Sequence, residues 1–474
     1  MRKLLIFTLL FSVFAFDALA QSRRVTSNRT PETNSIANEV GNLTPEQMFT
    51  EANLYAKNKF AEFEQKKVPY SQTLHEQTLR EQKQLAVKYA LSLSERTNLL
   101  NDDLYYLGML NHLAQNPENA AAAMRKYLAV ENPNAEKAQT ARSILVIIAA
   151  ERRDFDEAEK LLLEYLNKQP VKLRERAKME SELAKFYREE KNLASAAKHA
   201  EEAYRASKAL FQDASSRARG LNELLETGMI VFEIYRDSEK TEQAVNALKD
   251  LHKTAVFVES NAIYYRAVDG LIKYLIETGQ KPAALQLYKD SLKQVALDFP
   301  NKVLQGDILQ RLKKREKHYQ LLGDPAPEIV KIDKWFPGQP QTLASMRGKV
   351  VLLDFWATWC TPCLDTFPHL IEWYQTYRKD GLEILGVTRY YGEAEGFRVD
   401  KPNEIDFLQR FKKAQGLPYD FVVVNDTTNQ VNYGAANIPT TVLIDRKGVI
   451  RYVETGANRE EEIQEMILKL LAEK

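Results

Sequence analysis

The 474-residue chain reads as multidomain, with two parts of different fold class. An all-α region of repeated helical hairpins comes first and an α/β domain with a mixed sheet follows. Three observations predict this. Proline and glycine are sparse early and dense late: positions 46–299 hold five of each, and positions 300–474 hold ten prolines and twelve glycines. Helix interiors exclude both residues, and no proline occurs from Val171 to Lys281. A small residue recurs behind a short polar turn through the first part. From Lys349 the apolar spacing changes from helical to short continuous runs of strand length.

Composition narrows the function classes. Lys and Arg number 66 against 65 Asp and Glu. Phosphate binding rests on a basic surplus, so nucleic acid is not expected as a partner. A hydrophobic share of 44% with 28% charged residues fits a globular chain. The length suggests about two to four domains. The two cysteines, Cys360 and Cys363, stand three positions apart. That excludes a disulfide-stapled scaffold and a four-thiolate zinc site.

Residues 1–20 predict a secretory signal. Arg2 and Lys3 give a positive start, Leu4 to Phe16 is apolar, and Ala18-Leu-Ala20 offers small residues before Gln21. An uncleaved anchor is disfavoured, because Asp17 stops the run short of the roughly 20 apolar residues a span needs. No cysteine follows for lipid attachment. The expected mature chain is periplasmic or otherwise extracytoplasmic, with no membrane span after cleavage. In an oxidising compartment, one close cysteine pair without stray thiols points to working redox chemistry. Residues 21–43 are polar and aperiodic, and are expected to be a mobile leader.

The helical domain is expected over 44–322. Its recurring turns are Asn116-Pro-Glu-Asn-Ala120, Asp154-Phe-Asp-Glu-Ala158, Asn192-Leu-Ala-Ser-Ala196, Lys240-Thr-Glu-Gln-Ala244 and Gln280-Lys-Pro-Ala-Ala284. In the clearest unit, Ala141, Leu145 and Ile148 share one helix face. Phe155, Ala158, Leu162 and Tyr165 share the next, which Asp154 caps with Glu157 three residues on. Such units bury their apolar faces by stacking. This pattern resembles tetratricopeptide-like repeats over about 100–300. The usual period and full signature are missing, so an irregular bundle stays open. The resemblance implies a concave surface for peptides or proteins, but no residue reveals the ligand. Tyr264, Tyr265 and Tyr274 are expected in the core. Residues 298–327 are expected to bridge the halves, with Gly323-Asp-Pro-Ala-Pro327 marking the boundary by turn chemistry.

The α/β domain is expected over 323–474. Val350 to Trp356 reads as a strand buried on both faces. A helix is expected from Pro362 to Lys379, a strand over Leu382 to Val387, a helix over Ile405 to Ala414 and a strand over Phe421 to Val424. Thr440 to Ile444 and Val449 to Val453 form a hairpin around Asp445-Arg-Lys-Gly448, and Glu460 to Leu471 closes as an amphipathic helix. The residues Trp359-Cys360-Thr361-Pro362-Cys363 fall at the first strand-to-helix junction. Free N–H groups and the positive dipole end there favour a thiolate, so Cys360 is expected to be the acidic, nucleophilic thiol. Cys363, one turn on, is expected to be more buried. Asp354 interrupts the apolar strand six residues before Cys360.

The sequence here resembles the thioredoxin superfamily, specifically exported TlpA/ResA-like thiol–disulfide oxidoreductases, from about Pro325 to the C-terminus. The motif around Cys360 and Cys363, Pro368 five residues later, Ile438-Pro439-Thr440, Pro325-Ala-Pro327 and Arg347-Gly-Lys349 carry the resemblance. It implies that Pro439 is cis and packs against the cysteine pair. It implies that Asp354 is a buried proton relay to Cys363, and that Ile438 pairs with an extended client while Trp359 borders the groove. Cys360 and Cys363 are the expected catalytic residues. No bound cofactor and no metal is implied, and His369 is read as a surface residue. A peroxiredoxin is disfavoured, because Leu353 and Ala357 stand where its Pro and Thr or Ser belong. The stretch Arg389 to Glu404 reads as an inserted surface loop. The expected function is reduction of disulfides in client proteins, with a thiol electron donor protein restoring the dithiol and the helical region recruiting partners. The alternative is an exported helical adaptor whose redox domain is a sensor or vestige.

Overall fold

The computed structural model describes residues 43–69, 71–212, 220–457 and 459–473. The expected signal and all but the last residue of the expected leader lie outside them. The chain divides into two compact units between Ala141 and Arg142. Among the described residues, no helix is long and apolar enough to cross a membrane.

The first unit holds α1 (Pro45–Gln65), α2 (Gln72–Ser94), α3 (Asn101–Leu113), α4 (Pro117–Leu128) and the start of α5 (Ala135–Glu151). Thr44 opens α1 with a capping box: Gln47 N donates to its Oγ1 and Thr44 N donates to Gln47 Oε1. Met48, Ala52, Tyr89, Leu93 and Leu110 form the core of this unit.

The second unit continues with α6 (Phe155–Leu166), α7 (Leu173–Glu189), α8 (Leu193–Ala209), α9 (Leu221–Asp237), α10 (Thr241–Phe257), α11 (Asn261–Glu277), α12 (Lys281–Asp298) and α13 (Lys302–Leu321). The five recurring turns all start helices. Asn116, Asp154 and Asn192 accept a backbone N–H with their side chains at the N-caps of α4, α6 and α8. Lys240 and Gln280 hold the same place before α10 and α12 without a side-chain bond. The residue before each cap has positive φ, from 55° at Gln115 to 79° at Gly279. Ala120, Ala158, Ala196, Ala244 and Ala284 are all fully buried, since a small side chain is what lets adjacent helices close up. Tyr264 and Tyr274 are core residues, and Tyr265 is half-buried. The expected bridge over 298–327 is mostly α13. Asn301 starts it by accepting Val303 N at 2.8 Å, and the reading as a connector missed that cap.

Six strands form one mixed sheet: β1 (Ile332–Phe336), β2 (Val350–Phe355), β3 (Leu382–Arg389), β6 (Asp420–Val424), β7 (Thr440–Ile444) and β8 (Ile450–Thr455). Strands β4 (Glu393–Ala394) and β5 (Phe397–Arg398) form a separate small hairpin. The sheet order is β1-β6-β3-β2-β7-β8. β3 runs parallel to both β2 and β6; β7 is antiparallel to β2, and β8 to β7. Helices α14 (Thr361–Tyr377), α15 (Lys401–Ala414) and α17 (Glu460–Ala472) supply the core on one face, around Leu352, Trp356 and Phe421. On the other face Val351, Leu353, Phe355 and Val442 share a core with Ile308, Leu312 and Tyr319 of α13 and with Tyr433 of α16 (Thr428–Tyr433). Sequence periodicity missed the short elements β1, β4, β5 and α16. It also started α15 late, because Asp400 caps it and Pro402 sits in its first turn.

The helices and the sheet are joined by more than apolar contact. Gly323 N donates to Ile450 O at 2.8 Å, Ile450 N to Asp324 O at 3.0 Å and Ala326 N to Gly448 O at 2.9 Å. The segment that reads as a boundary therefore lies along edge strand β8. Arg315 of α13 reaches Glu454 at 3.2 Å and Val453 O at 3.0 Å, and its Nε lies 3.4 Å from Asp269. Lys273 of α11 bridges Asp269 and Glu454 at 3.2 and 3.0 Å, and Tyr319 donates to Asp269 at 2.7 Å. Burial alone would push both carboxyls up. Lys273 and Arg315 outweigh it and hold both below the ordinary carboxylate range.

The closed alanine positions give a stability test. Ala158→Leu forces three extra carbons into a filled contact and is expected to cost about 1–3 kcal/mol. Leu163→Ala, at a 60% exposed position of the same helix, is expected to cost no more than about 0.5 kcal/mol. Urea midpoints of the two variants check the contrast.

Candidate active site

β2 ends at Phe355, and Trp356 to Trp359 turn the chain into α14. All six residues of β2 are buried. The odd-numbered side chains enter the core shared with α13, and Val350, Leu352 and Trp356 enter the core beneath α14. Strand alternation puts Asp354 in line with the second set. Its neighbours in register are Gly386 of β3 and Thr441 of β7. Gly386 is required by space: a Cβ there would lie 2.8 Å from Trp356 Nε1 and from Phe421 Cβ.

Cys360 is the N-cap of α14, and Cys363 lies in its first turn. The two form a disulfide with Cα atoms 5.2 Å apart. The backbone N–H of Cys363 points at Cys360 Sγ from 3.3 Å. Cys360 is 4% exposed and Cys363 fully buried, while Thr361 and Pro362 between them are exposed. Pro368 lies inside α14, four positions after Leu364, whose carbonyl it leaves without an intrahelical donor. His369 is half-buried beside Trp373.

Asp354 is 1% exposed and its Oδ2 has no hydrogen-bond partner. Burial pushes its carboxyl up to about 7. Tyr419 supplies a second buried oxygen without a partner, and burial together with the charge of Asp354 pushes its phenol well up. Sequence reasoning gave no role to Tyr419.

The Ile438–Pro439 peptide is cis. Pro439 is buried and Ile438 half-buried, packing against both cores. Thr440 Oγ1 donates to Asn437 O at 2.6 Å, and Gly456 N donates to Pro439 O at 2.9 Å. Among the described residues, neither backbone group of Ile438 enters a backbone hydrogen bond.

Trp359 is 52% exposed and meets Tyr391 edge to face at 5.3 Å. The Arg389 guanidinium lies 4.1 Å from the Tyr391 ring centre. The inserted stretch is thus more than a surface loop. Buried Glu404 accepts Tyr391 N at 2.7 Å and Gly392 N at 2.9 Å, which fixes the aromatic ring beside the motif. A signal for Glu404 existed: it shares the apolar face of α15 with Phe407 and Leu408, three and four residues on. Sequence places Tyr391 in the inserted stretch but gives no sign of its contact with Trp359. Among the described residues, no cluster of three or more His, Cys, Asp or Glu is placed to hold a metal ion.

Comparison with known proteins agrees with this geometry. Residues 322–453 match the AhpC/TSA family. The chain is 38% identical over 152 residues to the thiol-disulfide oxidoreductase ResA of Geobacillus thermodenitrificans, covering 32% of this chain and 78% of that protein. It is 34% identical over 145 residues to ResA of Bacillus subtilis, covering 30% and 72%. It is 31% identical over 150 residues to protein DipZ of Mycobacterium tuberculosis, covering 31% and 20%.

Asp354 makes a measurable prediction. Folding raises its pKa, so the folded protein holds a proton that the unfolded chain releases near pH 4. The stability of the oxidised protein is therefore expected to fall between about pH 4 and pH 7 and then level off, by an amount on the order of 4 kcal/mol from this one group. Asp354→Asn is expected to lose that slope, and urea unfolding from pH 4 to 8 compares the two. A parallel fall in the variant would mean that another group carries it.

Through the α/β segment that carries this disulfide, the chain belongs to the ResA-like thiol–disulfide oxidoreductases, preceded by a long helical region.

Proposed function

We propose that the protein is exported and reduces disulfides in client proteins by dithiol exchange. The observation that carries this reading is the position of Cys360: it caps α14, accepts a backbone N–H from the first turn and borders an exposed tryptophan, with Cys363 buried behind it. In the reduced state the helix N-terminus favours the Cys360 thiolate. That thiolate attacks one sulfur of a client disulfide and forms a mixed disulfide, and the other client sulfur leaves as a thiolate. Cys363 then loses its proton and attacks Cys360 Sγ, releasing the second client sulfur. The client gains two electrons, and the enzyme ends as the Cys360–Cys363 disulfide seen in the structure. A dithiol donor protein outside this chain returns the two electrons.

Asp354 is the group we assign to receive the Cys363 proton. It is buried on the α14 face, its Oδ2 has no hydrogen-bond partner among the described residues, and burial pushes it up to about 7. Among the described residues the backbone groups of Ile438 enter no backbone hydrogen bond, and we assign them to an extended client segment added as a strand, with Pro439 and Trp359 assigned to the client groove. The helical region over 44–322, tetratricopeptide-like over about 100–300 in our reading, recruits clients or the donor.

Purified mature protein is expected to reduce insulin with dithiothreitol as donor. Cys363→Ser is expected to accumulate mixed disulfides through Cys360, visible on non-reducing gels, and Cys360→Ser to accumulate none. Alkylation of the reduced protein is expected to show Cys360 reacting below the pH range of an ordinary thiol near 8.5. Absence of turnover and of adducts, with normal partner binding by a chain lacking both cysteines, would favour the adaptor reading instead.

A further inference from the structure

Helix α13 contacts the chain before Pro439 and also β8, the strand paired with the chain after it. His318 and Arg315 are three residues apart and so share one face of that helix. Each reaches a different flank of the Pro439 loop. On the N-terminal flank, His318 Nε2 donates to Gly434 O at 2.9 Å. Gly434 has φ of 66°, and a Cβ there would meet the His318 ring at 2.8 Å and Lys317 Cγ at 3.0 Å. The helix and the loop backbone are therefore in direct contact, with room for no side chain. The preceding residue, Tyr433, is fully buried and donates to Pro327 O, so the loop has a fixed origin.

On the C-terminal flank, Arg315 donates to Val453 O and Glu454. Val453 pairs with Val442, Glu454 with Thr441 and Thr455 with Thr440, the residue after Pro439. Thr440 and Thr455 also share a hydroxyl hydrogen bond at 3.0 Å, and Gly456 N holds Pro439 O. Both ends of the loop are thus referenced to one rigid helix. Between the two flanks, neither backbone group of Ile438 enters a backbone hydrogen bond among the described residues.

We infer that Arg315 and His318 are positioning residues for client binding: through Gly434 and Val453–Glu454 they set the Ile438–Pro439 backbone at the place where an extended client strand is laid. The helical region then takes part in the reaction through α13 itself, whatever else it recruits. This inference rests on the reading of Ile438–Pro439 as the client platform.

The test compares an extended protein disulfide, insulin, with a small one, glutathione disulfide, which is too short to lay a strand on Ile438. The full-length protein is used with dithiothreitol as donor. His318→Asn removes the Nε2 donor, and His318→Gln restores a donor at about the same reach. The expected result for His318→Asn is a fall of about tenfold in the ratio of kcat/KM for insulin to kcat/KM for glutathione disulfide. The loss is expected mainly as a rise in KM for insulin, and His318→Gln is expected to return the ratio to wild type. Arg315→Lys keeps a cation against Asp269 and Glu454 but loses the fork that also reaches Val453 O. It acts on the other flank, is expected to move the ratio the same way, and stands in should His318→Asn not fold. A lowered melting temperature with an unchanged ratio would overturn the inference, because the contacts would then be structural only. A wild-type enzyme that reduces neither substrate would refute the reductase reading instead, and the inference with it.

Discussion

The second unit is organised by a strand that is buried on both faces. β2 sits between parallel β3 and antiparallel β7, and it sends alternate side chains into two separate cores. Such a strand has no room for chemistry along its length. The first place where its chain is able to present a reactive group is the junction after Phe355, at the carboxyl end of the strand, where open α/β sheets place their ligands. A helix starts there, and Cys360 is its cap. The Cys360 sulfur and the backbone N–H of Cys363 in the first turn therefore meet at this junction. Asp354 is the one departure. A carboxyl with an unpartnered buried oxygen costs stability, and a fold retains that cost most readily where the group has work to do.

The sheet's second face needs cover as well, and α13 supplies much of it. Ile308, Leu312 and Tyr319 join Val351, Leu353 and Phe355 in one core. Apolar packing is tolerant of small shifts, but the ionic cluster is not. Arg315 forms ion pairs with Asp269 and Glu454 and donates to Val453 O in a single placement of the helix against β8. Buried ion pairs add little net stability when replaced by well-packed apolar groups. Their effect here is on geometry, since any slide of the helix leaves a buried charge uncompensated. The same contact covers the backbone of an edge strand, which would otherwise offer free pairing groups to another chain.

Sequence made the two fold classes legible because they differ in features that depend on single residues: proline and glycine content, and the apolar period. The recurring alanines were legible because a position that admits no larger side chain leaves a strong trace. The cysteine motif, Asp354 and Pro439 were legible as residues, and the structure adds their burial and arrangement. What stayed hidden depends on distant partners. α13 carries many charged residues and reads as a connector until the sheet it covers is known. Glu404 stands out as an acid on the apolar face of its helix, but that its carboxylate holds the Tyr391 and Gly392 amides is visible only in the fold. β1 is a five-residue strand whose pattern alone cannot be told from loop, and it exists because β6 presents an edge to it. His318 and Gly434 have meaning only together, 116 residues apart.

Were helices α6–α13 to recruit partners as proposed, the way they join the sheet would limit how they serve the cysteine pair. A recruiting module on a flexible tether acts by raising local concentration, and its effect depends on linker length. Here the connecting residues Gly323 to Ala326 are hydrogen-bonded along β8, and the helix before them shares the sheet's core. Nothing in that junction is free to search. A partner held by these helices would be presented to Cys360 at one fixed distance and direction, so that reach and orientation, more than affinity, would decide which disulfides are accepted. A client that binds the helices tightly but carries its disulfide at the wrong span would gain nothing from the fusion. Selection by geometry of this kind would need a rigid joint, and the shared core and buried charges between α13 and β8 meet that requirement.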